Sequence, residues 1–405
     1  MEKSRSHPLT GKKIIVGITG SIAAYKSAEL VSKLVQLGAN VSVLMTKRAK
    51  NFVGKNTFEA LSHNPVITSY FDNISEINID HVYLAKNADL IIVAPITANS
   101  IAKIVHGITD NPITGTISAT NAPVILAPAM DGEMYDKQVI RNLQSLDKKR
   151  FNILEPQIGR LASGIIGKGR MVEPQLILET AILLLSKTGD LISRKILISA
   201  GGTRELIDPV RYIGNRSSGK MGYAIATAAR NRGAEVSLLS TKNVSLQVPL
   251  GVENNLVETS SDLEKMILLK SDHADVIIMA AAVCDFKPLT KEDQKIKKTS
   301  YDKNLNLELE QTPDILKQIK NKKIKKIAFA AETENLIENA KIKLKEKNLD
   351  MIIANDVSRE DIGFNSDDNQ VTIIQKNGSV TELPVMPKTD LAHILLDETI
   401  TLINI

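Results

Sequence analysis

The sequence contains no tryptophan, and phenylalanine and tyrosine bring the aromatic share to only 3%. Stacking platforms for single-stranded nucleic acid need aromatic faces, so that class of partner is disfavoured. Cysteine is nearly absent as well. Cys284 is the one thiol, which excludes an intrachain disulfide and points to a reducing compartment. No uninterrupted apolar run reaches the roughly 18–20 residues of a membrane span. The start, MEKSRSHPLTGKK, lacks the apolar core of a secretory signal. Together these absences predict a cytoplasmic protein with neither a membrane nor a nucleic acid as partner.

What is present reads as ordinary globular protein. The 405 residues exceed one average domain and suit two of about 150–200. Hydrophobic residues make up 43% and charged residues 24%, which excludes disorder as the main state. The net charge is +5, and residues 291–350 supply most of it with 15 Lys, no Arg and 11 Asp or Glu. Lysine without arginine suits point-charge contacts to flexible phosphates better than bidentate base reading. A solvated lysine-rich face is the plainer alternative.

The chain echoes itself. In residues 12–46, Lys12 to Thr19 is a β-branched run, Gly20 and Ser21 break it, and Ser21 can cap a helix. Ile22, Leu30, Val31, Leu34, Val35 and Leu37 then recur at helical spacing. Gly38 ends that helix, and Val41 to Met45 forms the next strand. Such a β-α-β unit is parallel and right-handed. Residues 195–239 repeat the plan, with an insert, TRELIDPVRYIGNRSSGK, between strand and helix. NADLIIVAPITAN at 87–99 is echoed by HADVIIMAAAVCD at 273–285. The pattern predicts an α/β fold of two doubly wound, Rossmann-like domains, 1–190 and 191–405, joined near 185–194. Ligands in such sheets bind beyond the carboxyl ends of the strands.

In the first half, GITGS at 17–21 does not match GxGxxG, but it sets backbone N–H groups and a hydroxyl at a helix start, which favours a phosphate. Met45-Thr46, Ala94 to Asn99 and Ala127 to Asp131 follow other strands. They form a ring of hydroxyl and amide donors of little charge, suited to a neutral ring system and one phosphate. His81 has a near-neutral pKa type that can carry a proton or bind a carboxylate; a packed or surface histidine is the alternative.

GSIAAYK at 20–26, Asp80-His81, ITANSIAKIVHGITDN at 96–111, PAMDGEMY at 128–135 and GKGRM at 167–171 occur in one order. This order resembles the flavin-dependent phosphopantothenoylcysteine decarboxylases. The later half resembles phosphopantothenate–cysteine ligase, so essentially the whole chain is similar to the bacterial bifunctional coenzyme A biosynthesis family. The resemblance implies FMN bound by Gly20, Ser21, Thr46, Pro95, Thr97 and Asn99, with His81 as the essential histidine. Thr312 in the later half stands where the family has Asn, and in the first half two positions depart from the family pattern. Asp131 stands where the family commonly has Asn, and an ionised Asp only accepts hydrogen bonds. Ser163 stands at the position of the cysteine that protonates the enethiol intermediate, and its hydroxyl is a far weaker acid than a thiol of pKa near 8.5.

In the second half, the polar insert is too long for a plain sheet connection. GNRSSGK lacks the GxxxxGK[ST] spacing, which excludes a Walker motif. By resemblance, Asn215 stabilises an acyl-cytidylate, a task for a neutral donor beside a developing oxyanion. The resemblance also puts Met279, Ala280, Ala281, Asp285, Lys295, Phe329 and Thr312-Pro313-Asp314-Ile315 on CTP, with Lys298 as a weaker neighbour of Lys295. Residues 294–298 read as a short basic strand, and Phe329 as a strand end. On the helix expected near 335–349, Lys343 and Lys347 fall at the inner edge of the apolar arc of Leu336, Ile337, Ala340 and Leu344, while Lys341 and Lys345 fall outside it. Inward lysines need an anion.

The expected function is CTP-dependent ligation of L-cysteine to 4'-phosphopantothenate, then FMN-dependent decarboxylation to 4'-phosphopantetheine. Clustered phosphates imply Mg²⁺, held on substrate oxygens rather than in a protein cage. The family further implies trimers and dimers combining to a dodecamer. The alternative keeps the ligase and makes the flavoprotein half a flavin-binding oligomerisation module. A nicotinamide oxidoreductase is the other rival, and it lacks GxGxxG and an acidic ribose reader.

Overall fold

The computed structural model describes residues 7–70, 80–186, 189–297, 305–321, 323–332, 334–356 and 366–404. Its contacts divide the chain into two compact units, residues 6–187 and 188–405 apart from a few N-terminal residues.

The first unit is built on β1 (Lys13–Ile18), β2 (Asn40–Met45), β3 (Leu90–Ile96), β4 (Val124–Pro128) and β5 (Phe151–Ile153). They pair in the order β2-β1-β3-β4-β5, all parallel. β3 is buried along its whole length, as a central strand covered on both faces must be. Helices α1 (Lys26–Gln36), α2 (Lys55–Ser62), α3 (Asp80–Asn87), α4 (Ala98–Val105), α5 (Pro112–Ala119), α6 (Lys137–Gln144) and α7 (Pro174–Leu185) cover the sheet. α1 and α7 pack on one face with Ile14, Val16 and Ile18. α4, α5 and α6 pack on the other with Ile15, Ile91 and Val93. Ile22 departs from the expected helix face. It sits exposed in a short 3-10 turn, because Ser21 caps that turn through Ala23 N–H and the α-helix proper starts only at Lys26. Beyond β5, β6 (Gln157–Arg160) and β7 (Ile166–Arg170) form an antiparallel hairpin.

The second unit opens with β8 (Lys195–Ala200), a small hairpin of β9 (Arg204–Leu206) and β10 (Tyr212–Gly214), then α8 (Lys220–Asn231) and β11 (Glu235–Thr241). β12 (Glu253–Val257), α9 (Ser260–Ser271), β13 (Val276–Met279), β14 (Phe286–Pro288), β15 (Leu309–Gln311), α10 (Ile315–Gln318), β16 (Lys325–Glu332), α11 (Leu336–Glu346) and β17 (Met351–Asp356) follow. The chain ends in β18 (Asp368–Asn369), β19 (Thr372–Gln375), β20 (Val380–Glu382), β21 (Met386–Pro387) and α12 (Lys388–Ile403). The main sheet runs β12-β11-β8-β13-β16-β17-β19-β20. It is parallel through β17 and closes with two antiparallel strands. α8 and α12 pack on one face, α9 and α11 on the other.

Two expectations about elements fail. Residues 294–297 form no strand, and Lys298 lies outside the described residues. That stretch is pinned instead by the turn after β9, where Ile296 N–H donates to Asp208 Oδ2 at 3.2 Å and Arg211 donates to the Ile296 carbonyl at 3.2 Å. Phe329 is not a strand end but lies inside β16, which continues to Glu332.

Candidate active sites

In the second unit the glycine turn after β8 requires glycine. Gly201 has φ +92°, and a Cβ there would meet the Thr241 hydroxyl at 1.9 Å. The turn is knit to the loop after β13. Ala282 N–H donates to the Gly201 carbonyl, Thr203 N–H to the Ala282 carbonyl, and Cys284 N–H to the Thr203 hydroxyl at 2.9 Å. Thr312 joins the same loop, donating its hydroxyl to the Cys284 carbonyl at 2.6 Å and its N–H to the Asp285 carbonyl. Burial pushes the Cys284 thiol up, which makes it a packing residue rather than a nucleophile.

These loops enclose a cavity of about 980 Å³ at the carboxyl ends of the strands. Asn215 lines it and donates to the Val283 carbonyl at 3.0 Å. Met279, Ala280, Ala281 and Asp285 line it from the β13 side, and Thr312, Pro313, Asp314 and Ile315 from the segment that starts α10. Phe329, Lys343 and Lys347 complete the set brought together from sequence. Lys295 is exposed in the pinned stretch and is not among the lining residues.

The two inward lysines already have protein anions. Lys343 meets Glu332 at 2.7 Å and Lys347 meets Asp314 at 3.2 Å. Both remain partly exposed on the cavity wall, as the helical wheel requires, whereas Lys341 and Lys345 are fully outside. The anion that inward lysines need is thus supplied by the protein itself, by Glu332 of β16 and by Asp314 at the α10 cap. Sequence reasoning missed Asn355, Asn369 and Lys388, which also line the cavity. The signal for Lys388 was its place as the first residue after Pro387, opening a long apolar helix.

In the first unit, Gly20 and Ser21 follow β1, Thr46 follows β2, and Pro95, Thr97 and Asn99 close β3 and open α4. These strands are neighbours, so the donors share one sheet edge. Gly20 is a close approach: a Cβ there would lie 2.6 Å from Arg48 Cβ. Ser21 and Thr46 each accept a backbone N–H from their own turn, which keeps each hydroxyl proton available to donate. Thr97 makes no side-chain cap, and no acidic residue stands in the first turn of α4. Its first N–H groups therefore add to an edge suited to a phosphate and a polar ring. Pro95 is buried; its carbonyl accepts from the Thr19 hydroxyl at 2.9 Å.

Asp131 Oδ1 accepts from Glu133 N–H at 3.3 Å, so it shapes its own turn. β7 docks on that turn: Met130 N–H donates to the Gly169 carbonyl at 3.0 Å, and a Cβ on Gly169 would meet the Met130 carbonyl at 2.2 Å. Tyr135 donates to Glu155 at 3.2 Å, Glu155 pairs with Lys168 at 2.5 Å, and that ammonium lies 5.3 Å above the Tyr135 ring. Burial, with Glu155 beside it, pushes the Tyr135 hydroxyl up to about 12, so it stays a donor at all working pH. The motifs PAMDGEMY and GKGRM are thus one construction. Ser163 sits exposed at the tip of this hairpin. His81 lies on α3; its side chain is outside the described residues. Among the described residues no helix is long and apolar enough to cross a membrane, and no group of three or more His, Cys, Asp or Glu could hold a metal.

Two family models match this chain end to end. One, described as Flavoprotein, covers residues 2–186, and the other, the DNA/pantothenate metabolism flavoprotein C-terminal domain, covers 191–402. The coenzyme A biosynthesis bifunctional protein CoaBC of Bacillus subtilis (strain 168) is 44% identical over 396 residues, spanning 96% of this chain and 97% of that protein. The chain belongs to the bifunctional coenzyme A biosynthesis family. The CoaBC protein of Escherichia coli (strain K12) is 41% identical over 398 residues, with 97% and 98% covered. Among solved structures, the C-terminal domain of a CoaBC protein shares 41% identity over 53% of this chain and 97% of that chain, with a TM-score of 0.45. The family models put a flavoprotein domain in the first unit and the DNA/pantothenate metabolism flavoprotein C-terminal domain in the second, and membership does not favour a flavoprotein half that is merely a scaffold.

Proposed function

We propose that the chain performs both chemical steps of its family: residues 191–405 join cysteine to 4'-phosphopantothenate at the expense of CTP, and residues 1–190 decarboxylate the product with FMN. The observation that carries the reading is the 980 Å³ cavity, in which Asn215, the small-residue loop at 279–285 and Lys343 and Lys347 converge. A volume near 1,000 Å³ is at the upper end of small-molecule sites and suits a nucleotide beside an acid.

In the ligase step the acid's carboxylate attacks the α-phosphate of CTP and pyrophosphate leaves. The cysteine amine then attacks the acyl-cytidylate and CMP leaves. Asn215 is the neutral donor for the oxyanion that develops at the acyl carbon, since its second amide N–H is not committed to Val283. Small side chains at Ala280 and Ala281 let base and sugar approach the backbone, and Phe329 packs beside them. Asp285 and Asp314 are the carboxylates on the wall that fit Mg²⁺ together with substrate phosphate oxygens. Lys295 reaches the triphosphate only if its stretch moves from the Asp208 anchor.

In the decarboxylase step the flavin, when bound, accepts and returns the two electrons of a redox-neutral reaction. The hydroxyls of Ser21, Thr46 and Thr97 and the Asn99 amide fit its phosphate and ring edge. His81 holds the substrate carboxylate or a proton. The hairpin carrying Ser163 closes over Asp131, and Ser163 positions the substrate instead of acting as the acid that a thiol would be. The protein works in the cytoplasm as a homo-oligomer, its flavoprotein halves assembling as trimers and its ligase halves as dimers.

The test is spectral and chemical. Protein purified with bound flavin should absorb near 450 nm and release pyrophosphate from CTP only when 4'-phosphopantothenate is added. A colourless protein that cannot be loaded with FMN would remove the decarboxylase half of the reading. Pyrophosphate release independent of the acid would remove the ligase half.

A further inference from the structure

Two lysine pairs reach the large cavity from opposite faces of the sheet. Lys343 and Lys347 come with α11; Lys220 and Lys388 open α8 and α12, which pack against each other on the other face. The pairs differ in how they are neutralised. Glu332, which meets Lys343, has a side chain only 10% exposed, so that pair is a fixed part of the wall. Lys220 meets Asp367 at 2.7 Å, but the Asp367 side chain is 90% exposed and can leave without a desolvation cost. Lys388 is nine-tenths buried, donates to the Ser366 carbonyl, and pairs with no carboxylate among the described residues. Burial pushes its ammonium down, and Lys220 pushes it further the same way. A phosphate beside both would remove that penalty.

The backbone points the same way. Gly219 and Pro387, the N-cap residues of α8 and α12, make no side-chain cap, and the first turn of α8 carries no acidic residue. Both helix starts are led by a lysine, and the first turn of α8 adds its N–H groups at this corner; the first turn of α12 carries Asp390 and its Lys388 N–H donates to the Asp367 carbonyl, so α12 contributes the ammonium rather than its backbone. Asn369 lines the cavity there, 6% exposed; its Oδ1 accepts from Gln370 N–H, which leaves the amide N–H₂ as a neutral donor.

We propose that the corner between α8 and α12, with Lys388 and Lys220 as cations and Asn369 as neutral donor, seats a phosphate group of a ligase reactant. The inference rests on the ligase reading and deepens it: it makes this corner, not the α11 lysines, the main phosphate seat of the cavity. The phosphate is either the terminal one of the acid substrate or part of the nucleotide's chain. Asp367 occupies the position that an anionic oxygen takes when the seat fills.

The test uses the full chain and reads pyrophosphate release against each reactant in turn. Lys388→Gln and Lys220→Gln should each raise KM for one phosphate-bearing reactant by about tenfold or more, the loss of a charge-assisted hydrogen bond. KM for cysteine should not change. Lys388→Arg should restore most of the affinity, and Asp367→Asn should lower the same KM by removing the competing carboxylate. The reactant whose KM moves identifies the source of the phosphate. KM values within twofold of wild type for both phosphate-bearing reactants in the two glutamine variants would overturn the proposal. If Lys388→Gln does not fold, Lys220→Gln carries the test, since its side chain is one-third exposed. Calorimetric titration with inorganic pyrophosphate reads the seat without turnover, and equal affinity in wild type and Lys220→Gln would likewise overturn it. A wild-type chain that binds pyrophosphate but releases none from CTP would instead refute the ligase reading.

Discussion

Replacing Asn215 by Asp changes one NH₂ group into an oxygen and should separate binding from chemistry. Asn215 is exposed on the cavity rim, and its amide donates to the Val283 carbonyl at 3.0 Å. A carboxylate cannot donate, so two oxygens would face each other, and water would take the place of the lost bond. The net loss of one such neutral bond is about 1 kcal/mol. Spread over a unit of this size it moves the melting temperature by only about 2–4 °C. Catalysis should suffer far more. Removing one oxyanion donor costs roughly 10²–10³ in kcat, about 2.7–4 kcal/mol. The assay is steady-state pyrophosphate and CMP release with CTP, 4'-phosphopantothenate and cysteine. The expected result is kcat lowered by at least about a hundredfold with KM for CTP within a few-fold. Decarboxylation of supplied phosphopantothenoylcysteine is the internal control and should be unchanged. Wild-type kcat in the variant would refute the role given to Asn215.

Other outcomes follow from packing and charge. Gly169→Ala drives a methyl into the Met130 carbonyl, lifts the β6–β7 hairpin, and should lower decarboxylation while leaving pyrophosphate release intact; product analysis of the two half-reactions checks this. Arg232 is 5% exposed and paired with Asp190 at 2.6 Å and Asp397 at 2.8 Å. Arg232→Met should cost about 3 kcal/mol, because two carboxylates lose their partner, and lower the melting transition by about 6–12 °C in a thermal scan. Asp208 has no exposed surface. Burial alone would raise its pKa, but the N–H groups of Val210, Arg211 and Ile296 and the Arg211 guanidinium outweigh burial and hold it below the ordinary 3.8. Its contribution is therefore present above pH 3.8 and is lost as pH falls through the lower folded value. Asp208→Asn should flatten the acid limb of an unfolding-versus-pH curve; an unchanged limb would contradict the assignment.

The sites were legible in sequence to unequal depth, for physical reasons. Strand-ending loops of small and polar residues are local features, so 279–285 could be placed on the ligand edge from sequence, whereas 312–315 was reached only through the family resemblance. The 100° wheel separated Lys343 and Lys347 from Lys341 and Lys345 because α11 is a regular helix with one buried arc. Their carboxylates were invisible, since Glu332 and Asp314 come from other elements. Lys388 was missed for the same reason: nothing near it in sequence says that α12 starts beside α8. Residues 294–297 failed in the opposite direction. Alternation over five residues fits any extended stretch, and here Asp208 and Arg211, far away in sequence, decide its path. In the first unit the shared origin of PAMDGEMY and GKGRM became intelligible only through the Tyr135–Glu155–Lys168 contact, which brings one turn onto one hairpin.

The most direct measurement of the central claim is a single-tube reaction of the full chain, loaded with FMN, with 4'-phosphopantothenate, cysteine, CTP and Mg²⁺, scoring CMP and carbon dioxide separately. Two complementary sites in one chain predict equal amounts of both products and 4'-phosphopantetheine as the end point. CMP without carbon dioxide would contradict a working decarboxylase, and carbon dioxide from supplied phosphopantothenoylcysteine without CMP would contradict the ligase.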